Sequence, residues 1–179
     1  MNWLALVNID DVETIQLLED VSQRSPNDPR AAALLLYTGF SLYLAPPSYR
    51  PRIDRRELRA RLVSSFKKAS LRYRRTPSFL FFVGMFAGVA EKLFASGGVE
   101  ADAMRSLAFS LEPTNQLYEW GACRDRETRT RRAQRARLAA GILENRTICR
   151  WLREWGPLGE HIGAALHADA MMTQESPSG

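Results

Sequence analysis

The residues with the chemistry to catalyse are few and badly spaced for it. His161 and His167 are the only histidines, six apart in one helical segment, which puts them on different faces and makes neither a metal pair nor a base beside a nucleophile. Ser64-Ser65-Phe66-Lys67-Lys68 holds Ser-x-x-Lys twice, a spacing in which a lysine can activate a serine. Here it sits inside a basic amphipathic segment with no companion motif. Gly97-Gly98 lacks the lysine and the preceding strand of a phosphate-cradling loop. The two cysteines, Cys123 and Cys149, have neither disulfide nor zinc-site spacing. Asp10-Asp11 and Asp125/Glu127 read as helix-terminus charges and solvated ion pairs. The expectation is a protein that is not an enzyme, with no cofactor and no metal.

Arginine carries the stronger signal. Between Arg50 and Arg75 eleven Lys or Arg face only Asp54 and Glu57, and between Arg124 and Arg137 seven Arg face Asp125 and Glu127. The whole chain has a net charge of only +5, so the remainder is acidic and the surface is expected to be polarised. Leu58, Leu62, Phe66, Ala69 and Tyr73 recur at helical spacing as an inward stripe. That leaves Arg55, Arg56, Arg59, Lys67, Lys68, Arg72, Arg74 and Arg75 outside it. Arg129, Arg131, Arg132 and Arg135 read the same way. Guanidinium groups favour two-pronged contacts with phosphate or carboxylate. The basic surface is therefore expected at Arg55, Arg56, Arg59, Arg72, Arg75, Arg129, Arg132 and Arg135, facing nucleic acid, an anionic membrane or an acidic protein, unless it is simply a solvated face. No helix-turn-helix or zinc-finger signature singles out nucleic acid.

The elements that must position these residues read as helices almost throughout. Alternating strand patterns and Asn-Gly turns are missing. Helix starts are predicted at Asp10 or Asp11, at Asp28-Pro29, at Asp54 with Glu57 as a capping-box pair, and at Thr76-Pro77. Gly97-Gly98 and Pro113 punctuate the next segments. Further helices are expected over 99–111, 114–124, 127–145, 147–155 and from Gly156-Pro157 to about Ala168, nine in all. The longest apolar run, Phe79 to Ala90, is shorter than the about 20 residues of a membrane span. No basic leader precedes the first apolar residues, so a cytoplasmic protein is expected, with one domain over 1–172 and a polar tail over 173–179.

One pattern orders the helices. Leu-x-x-x-Gly recurs at Leu35/Gly39, Leu80/Gly84, Leu117/Gly121 and Leu152/Gly156, at a period suited to a helical repeat array. After the first three come Leu62/Ala69, Ala101/Ala108 and Ala133/Ala140, seven apart on one helix face, where helices can approach closely. Gly156, followed at once by Pro157, reads as part of a terminal cap. Ala101-Asp-Ala-Met-Arg-Ser-Leu-Ala108, with Pro113 and Asn115 beyond, resembles the second helix and closing turn of a tetratricopeptide repeat. Arg105 and Arg137 stand where that family usually carries an aromatic, and leucine replaces its tryptophan.

The resemblance implies an all-α stack of three to four antiparallel helical hairpins with a C-terminal capping helix. It also implies a concave groove for another protein, taken as a helix or an extended peptide, in an adaptor, a secretion or assembly chaperone, or a toxin-neutralising partner. Leu36, Phe40, Phe81, Met85, Tyr118 and Ala122 would line that groove, unless they are core. The alternative function is contact with nucleic acid through the arginines.

Overall fold

A computed structural model describes residues 12–46, 54–88, 101–123 and 129–172. The Asp10-Asp11 pair, the Gly97-Gly98 break, Asp125/Glu127 and the tail over 173–179 lie outside these residues, and so does the side chain of Arg129.

The described residues form nine helices and no strand: α1 (Val12–Arg24), α2 (Pro29–Leu44), α3 (Arg55–Arg72), α4 (Pro77–Ala87), α5 (Ala101–Leu111), α6 (Gln116–Ala122), α7 (Arg129–Glu144), α8 (Arg146–Arg153) and α9 (Pro157–Met171). Their starts follow from local chemistry. Asp28, Asp54, Asn115 and Asn145 each accept a hydrogen bond from a first-turn N–H, and Pro29, Pro77 and Pro157 occupy first-turn positions where no N–H is needed. Asp54 caps through the Arg56 N–H, and Glu57 is exposed without a reciprocal bond, so the predicted capping box is only half formed. None of these helices is long and apolar enough to cross a membrane.

Consecutive helices pack as neighbours: α1 on α2, α2 on α3, α4 on α5, α5 on α6, α6 on α7, and α8 on both α7 and α9. The chain also packs across alternate helices, α2 on α4 and α4 on α6. α9 lies along α7 and reaches back to α2, where His161 meets the Tyr37 ring at 5.4 Å between centroids.

The repeated glycines explain part of this closeness. A Cβ at Gly39 would collide with Leu62 of α3, and one at Gly84 would come 2.9 Å from Arg105 Cγ of α5. At Gly121 the nearest atom is Phe81 Cε2 of α4, at 2.8 Å. Gly156 differs in kind: it lies outside any helix, with φ 55°. The close approach there belongs to Gly159, whose Cβ would collide with the Leu152 carbonyl.

The small-residue register fits unevenly. Leu62, Ala69, Ala101 and Ala108 are buried as expected, whereas Ala133 and Ala140 are exposed and Ala136 and Ala139 take the inward positions of α7.

Candidate functional site

Along the outer flank of α3, no carboxylate of the described residues lies at ion-pair distance from Arg56, Arg59 or Lys67. Arg56, Arg59, Ala60, Val63, Ser64 and Lys67, on successive turns, line an open depression of about 550 Å³. The inward stripe Leu58, Leu62, Phe66, Ala69 and Tyr73 is buried as the spacing predicts, and this orients the flank toward solvent. Tyr73 fixes the end of the helix by donating its hydroxyl to the carbonyls of Pro26 (2.9 Å) and Asp28 (3.2 Å) in the α1–α2 turn. Arg56, Arg59, Arg72 and Arg75 are exposed, as predicted, with no carboxylate at ion-pair distance among the described residues.

Two other arginines of α3 are engaged. Arg55 donates from Nη2 to the Tyr43 carbonyl at 2.7 Å and lies over the Tyr43 ring, satisfying one of the unpaired carbonyls at the end of α2. Arg61 donates to Glu19 of α1 at 2.7 Å. Beside that pair a second hollow of about 490 Å³ is walled by α1, α2 and α3, with Lys68 and Arg72 at its edge.

The expected apolar groove is a correction. Leu36, Phe40, Phe81 and Tyr118 are buried, and Met85 and Ala122 are partly buried. The reason is visible in the ring contacts. Phe40 stacks on Phe86 and Phe81 packs on Tyr118, so these rings fill the seams between α2, α4 and α6 and do not form one shared groove. Phe82 adds a stack with Trp155 at 3.9 Å and meets Trp151 at 5.5 Å, tying α4 to α8 and the turn after it.

The second arginine cluster is also corrected. Arg132 is exposed, but Arg135 is only 6 % exposed, with Nε 3.0 Å from Asp169 Oδ2 of α9. The same oxygen accepts from Trp120 Nε1 of α6 at 2.9 Å, so one buried carboxylate joins three helices. Arg105 is likewise buried: Nη1 donates to the Gly84 carbonyl at 2.7 Å near the end of α4, and Nη2 pairs with Asp102. The sequence did carry a sign of Asp169, an acid in line with Leu158, Ile162 and Leu166 on the buried face of α9.

The remaining candidates stay apart. His161 and His167 are both exposed, no hydrogen bond joins Ser64 or Ser65 to Lys67 or Lys68, and Cys149 donates weakly to the carbonyls of Ile142 and Leu143. Among the described residues no three His, Cys, Asp or Glu side chains form a group suited to a metal ion. No protein-family model matches the chain, and no curated protein or solved structure is similar to it at a significant level.

Proposed function

We propose that the chain is a non-enzymatic binding module that takes an acidic protein segment along the outer flank of α3. The observation that carries this reading is the depression lined by Arg56, Arg59 and Lys67 around Ala60, Val63 and Ser64, without carboxylates to neutralise it among the described residues. From Arg56 to Lys67 the helix rises about 16 Å, enough to match roughly three turns of a partner helix. Ala60 and Val63 give that helix an apolar seat, which a sugar-phosphate strand would not use. The helices are read as a short tetratricopeptide-like array, supported by the packing of α2 on α3, α4 on α5, α6 on α7 and α8 on α9 and by close approaches at Gly39 and Gly84. In that reading the partner surface is the back of a hairpin, since the expected groove residues are core.

Binding of a labelled helical peptide with glutamates on one face and alanine or leucine on the other tests the proposal, with an oligonucleotide of matched length as comparator. Peptide binding that weakens with salt and is lost in Arg56→Glu/Arg59→Glu is expected. Equal binding by that variant, or no peptide binding, overturns it. Tighter binding of the oligonucleotide, with a steep salt slope, would assign the flank to nucleic acid instead.

A further inference from the structure

The hollow of about 490 Å³ beside the Arg61–Glu19 pair lies between the second halves of α1 and α3 and the first half of α2. Its size falls within the range of small-ligand clefts, about 300–1,000 Å³. Its floor is apolar: Ala32, Leu35, Ala69 and Tyr73 are each buried. Tyr73 is fixed there by the two bonds from its hydroxyl to the Pro26 and Asp28 carbonyls and by its ring contact with Phe79, at 5.0 Å between centroids. The floor therefore stands without a ligand to order it.

The walls above this floor are polar and carry a surplus of positive charge. Lys68 and Arg72 line one side, four residues and so one turn apart on α3, with no carboxylate at ion-pair distance among the described residues. Ser22 and Gln23 of α1 and Ser65 of α3 add neutral hydroxyl and amide groups. Glu19 is the carboxylate of the α1 wall, and Arg61 already holds it at 2.7 Å. Its charge is offset by that arginine, which leaves Lys68 and Arg72 as the surplus.

Two cations one turn apart match a phosphate better than a carboxylate. A phosphate monoester carries a charge of about −1.5 to −2 near neutral pH, roughly twice that of a carboxylate. A guanidinium such as that of Arg72 can meet two phosphate oxygens at once, and the Lys68 ammonium can meet another as a point charge. Hydroxyl groups on the body of such a ligand would find Ser22, Gln23 and Ser65 on the walls. Its carbon face would cover Ala32, Leu35 and Ala69 on the floor.

We infer that this hollow binds a small organic phosphate monoester whose body carries hydroxyl groups. Inorganic phosphate would leave the apolar floor uncovered, and a neutral polyol would leave Lys68 and Arg72 unmatched. Walls from three helices suit a small molecule, whereas a partner helix or a nucleic-acid strand needs an open face such as the outer flank of α3. The hollow shares none of Arg56, Arg59 and Lys67 with that flank and does not depend on the function proposed for it.

Calorimetric titration of the full chain at low salt with glycerophosphate, ribose phosphate and adenosine monophosphate tests this, with inorganic phosphate, glucose and vesicles containing phosphatidic acid as comparators. One or more of the monoesters should bind at a single site per chain, more tightly than inorganic phosphate or glucose. The affinity should fall about tenfold in Arg72→Gln and several-fold in Lys68→Gln, both at exposed positions that leave the core intact. Arg56→Gln removes the same charge from the outer flank and should leave binding unchanged, while Ser22→Trp, which fills the hollow from its α1 wall, should abolish it. Failure of all the monoesters to bind, equal affinity for inorganic phosphate or glucose, an equal loss in Arg56→Gln, or undiminished binding by Ser22→Trp overturns the inference. Binding of the vesicles alone would do so too, by assigning Lys68 and Arg72 to a lipid surface.

Discussion

α3 and α7 carry arginine at similar density, yet the first turns its arginines outward while the second buries one of them in the core. The difference lies in how many neighbours each helix has. α3 packs chiefly on α2, so a single stripe of Leu58, Leu62, Phe66 and Ala69 is buried, and Arg56, Arg59, Lys67, Lys68 and Arg72 stay exposed outside it. α7 packs on α6, α8 and α9 at once. Its small inward residues, Ala136 and Ala139, let those helices close in, and Arg135 beside them is drawn under α9 to meet Asp169. A run of charge thus specifies a surface only on a helix with one packed face.

The sharpest way to break this comparison is to remove the inner carboxylate. Asp169→Ala strands the Arg135 charge and the Trp120 N–H in the core, and breaking a buried pair in this way costs roughly 3–5 kcal/mol. Against a typical total stability of about 5–15 kcal/mol, the urea midpoint should fall by a large fraction. The double variant Arg135→Met/Asp169→Leu should recover much of the loss, leaving about 1–3 kcal/mol for the unpaired indole N–H. A near-silent Asp169→Ala would mean that Arg135 is as solvated as the arginines of α3.

This contrast also marks what could be read from the sequence. Helix starts were legible because they rest on neighbouring residues: Asp28-Pro29 and Thr76-Pro77 open helices where their local chemistry requires. The inward stripe of α3 was legible for the same reason, since only one face had to be found. The direction of Phe40, Phe81 and Tyr118 was not, because an aromatic next to a small residue suits a groove or a seam equally well. Only the packing of α2, α4 and α6 decides between them. Arg135 was missed because its partner, Asp169, comes from the last helix, and local charge counting has no access to so distant a pairing.

An intermediate case sharpens the comparison through pH. Arg30 and Asp28 form a half-exposed pair, with Nη2 2.7 Å from Oδ2 and Nε also bonded, at the turn that Tyr73 closes. Burial alone would raise the Asp28 carboxyl, but the side-chain and backbone hydrogen bonds from Arg30 and its charge outweigh it and hold the carboxyl below its ordinary value. A depressed folded-state value means that the contribution is fully present above the unfolded value of 3.8 and is lost as pH falls through the folded one. Solvent screening limits it to about 1 kcal/mol. The stability gap between the unaltered protein and Asp28→Asn should therefore be constant from neutral pH down to about 5 and shrink below that. Urea melts across this range check it, and a gap that widens on acidification would reverse the assignment.

The smallest expected effect has the opposite sign. Arg59 lies one turn beyond Arg55 and Arg56 in the first half of α3, where like charges three and four residues apart repel and the positive end of the helix adds to the repulsion. Arg59→Glu replaces that repulsion with attraction and loses no core contact, because the side chain is exposed. Stability should rise by about 0.5 kcal/mol at low salt, and the gain should fade as salt screens the charges. The same change is expected to abolish binding of the acidic peptide. A helix that is more stable without an arginine than with it retains that arginine at a cost, as expected where a surface is arranged for a partner and not for folding. If Arg59→Glu lowers the urea midpoint at low salt, the flank of α3 is already neutralised by groups of its own chain, and the contrast with α7 becomes one of degree.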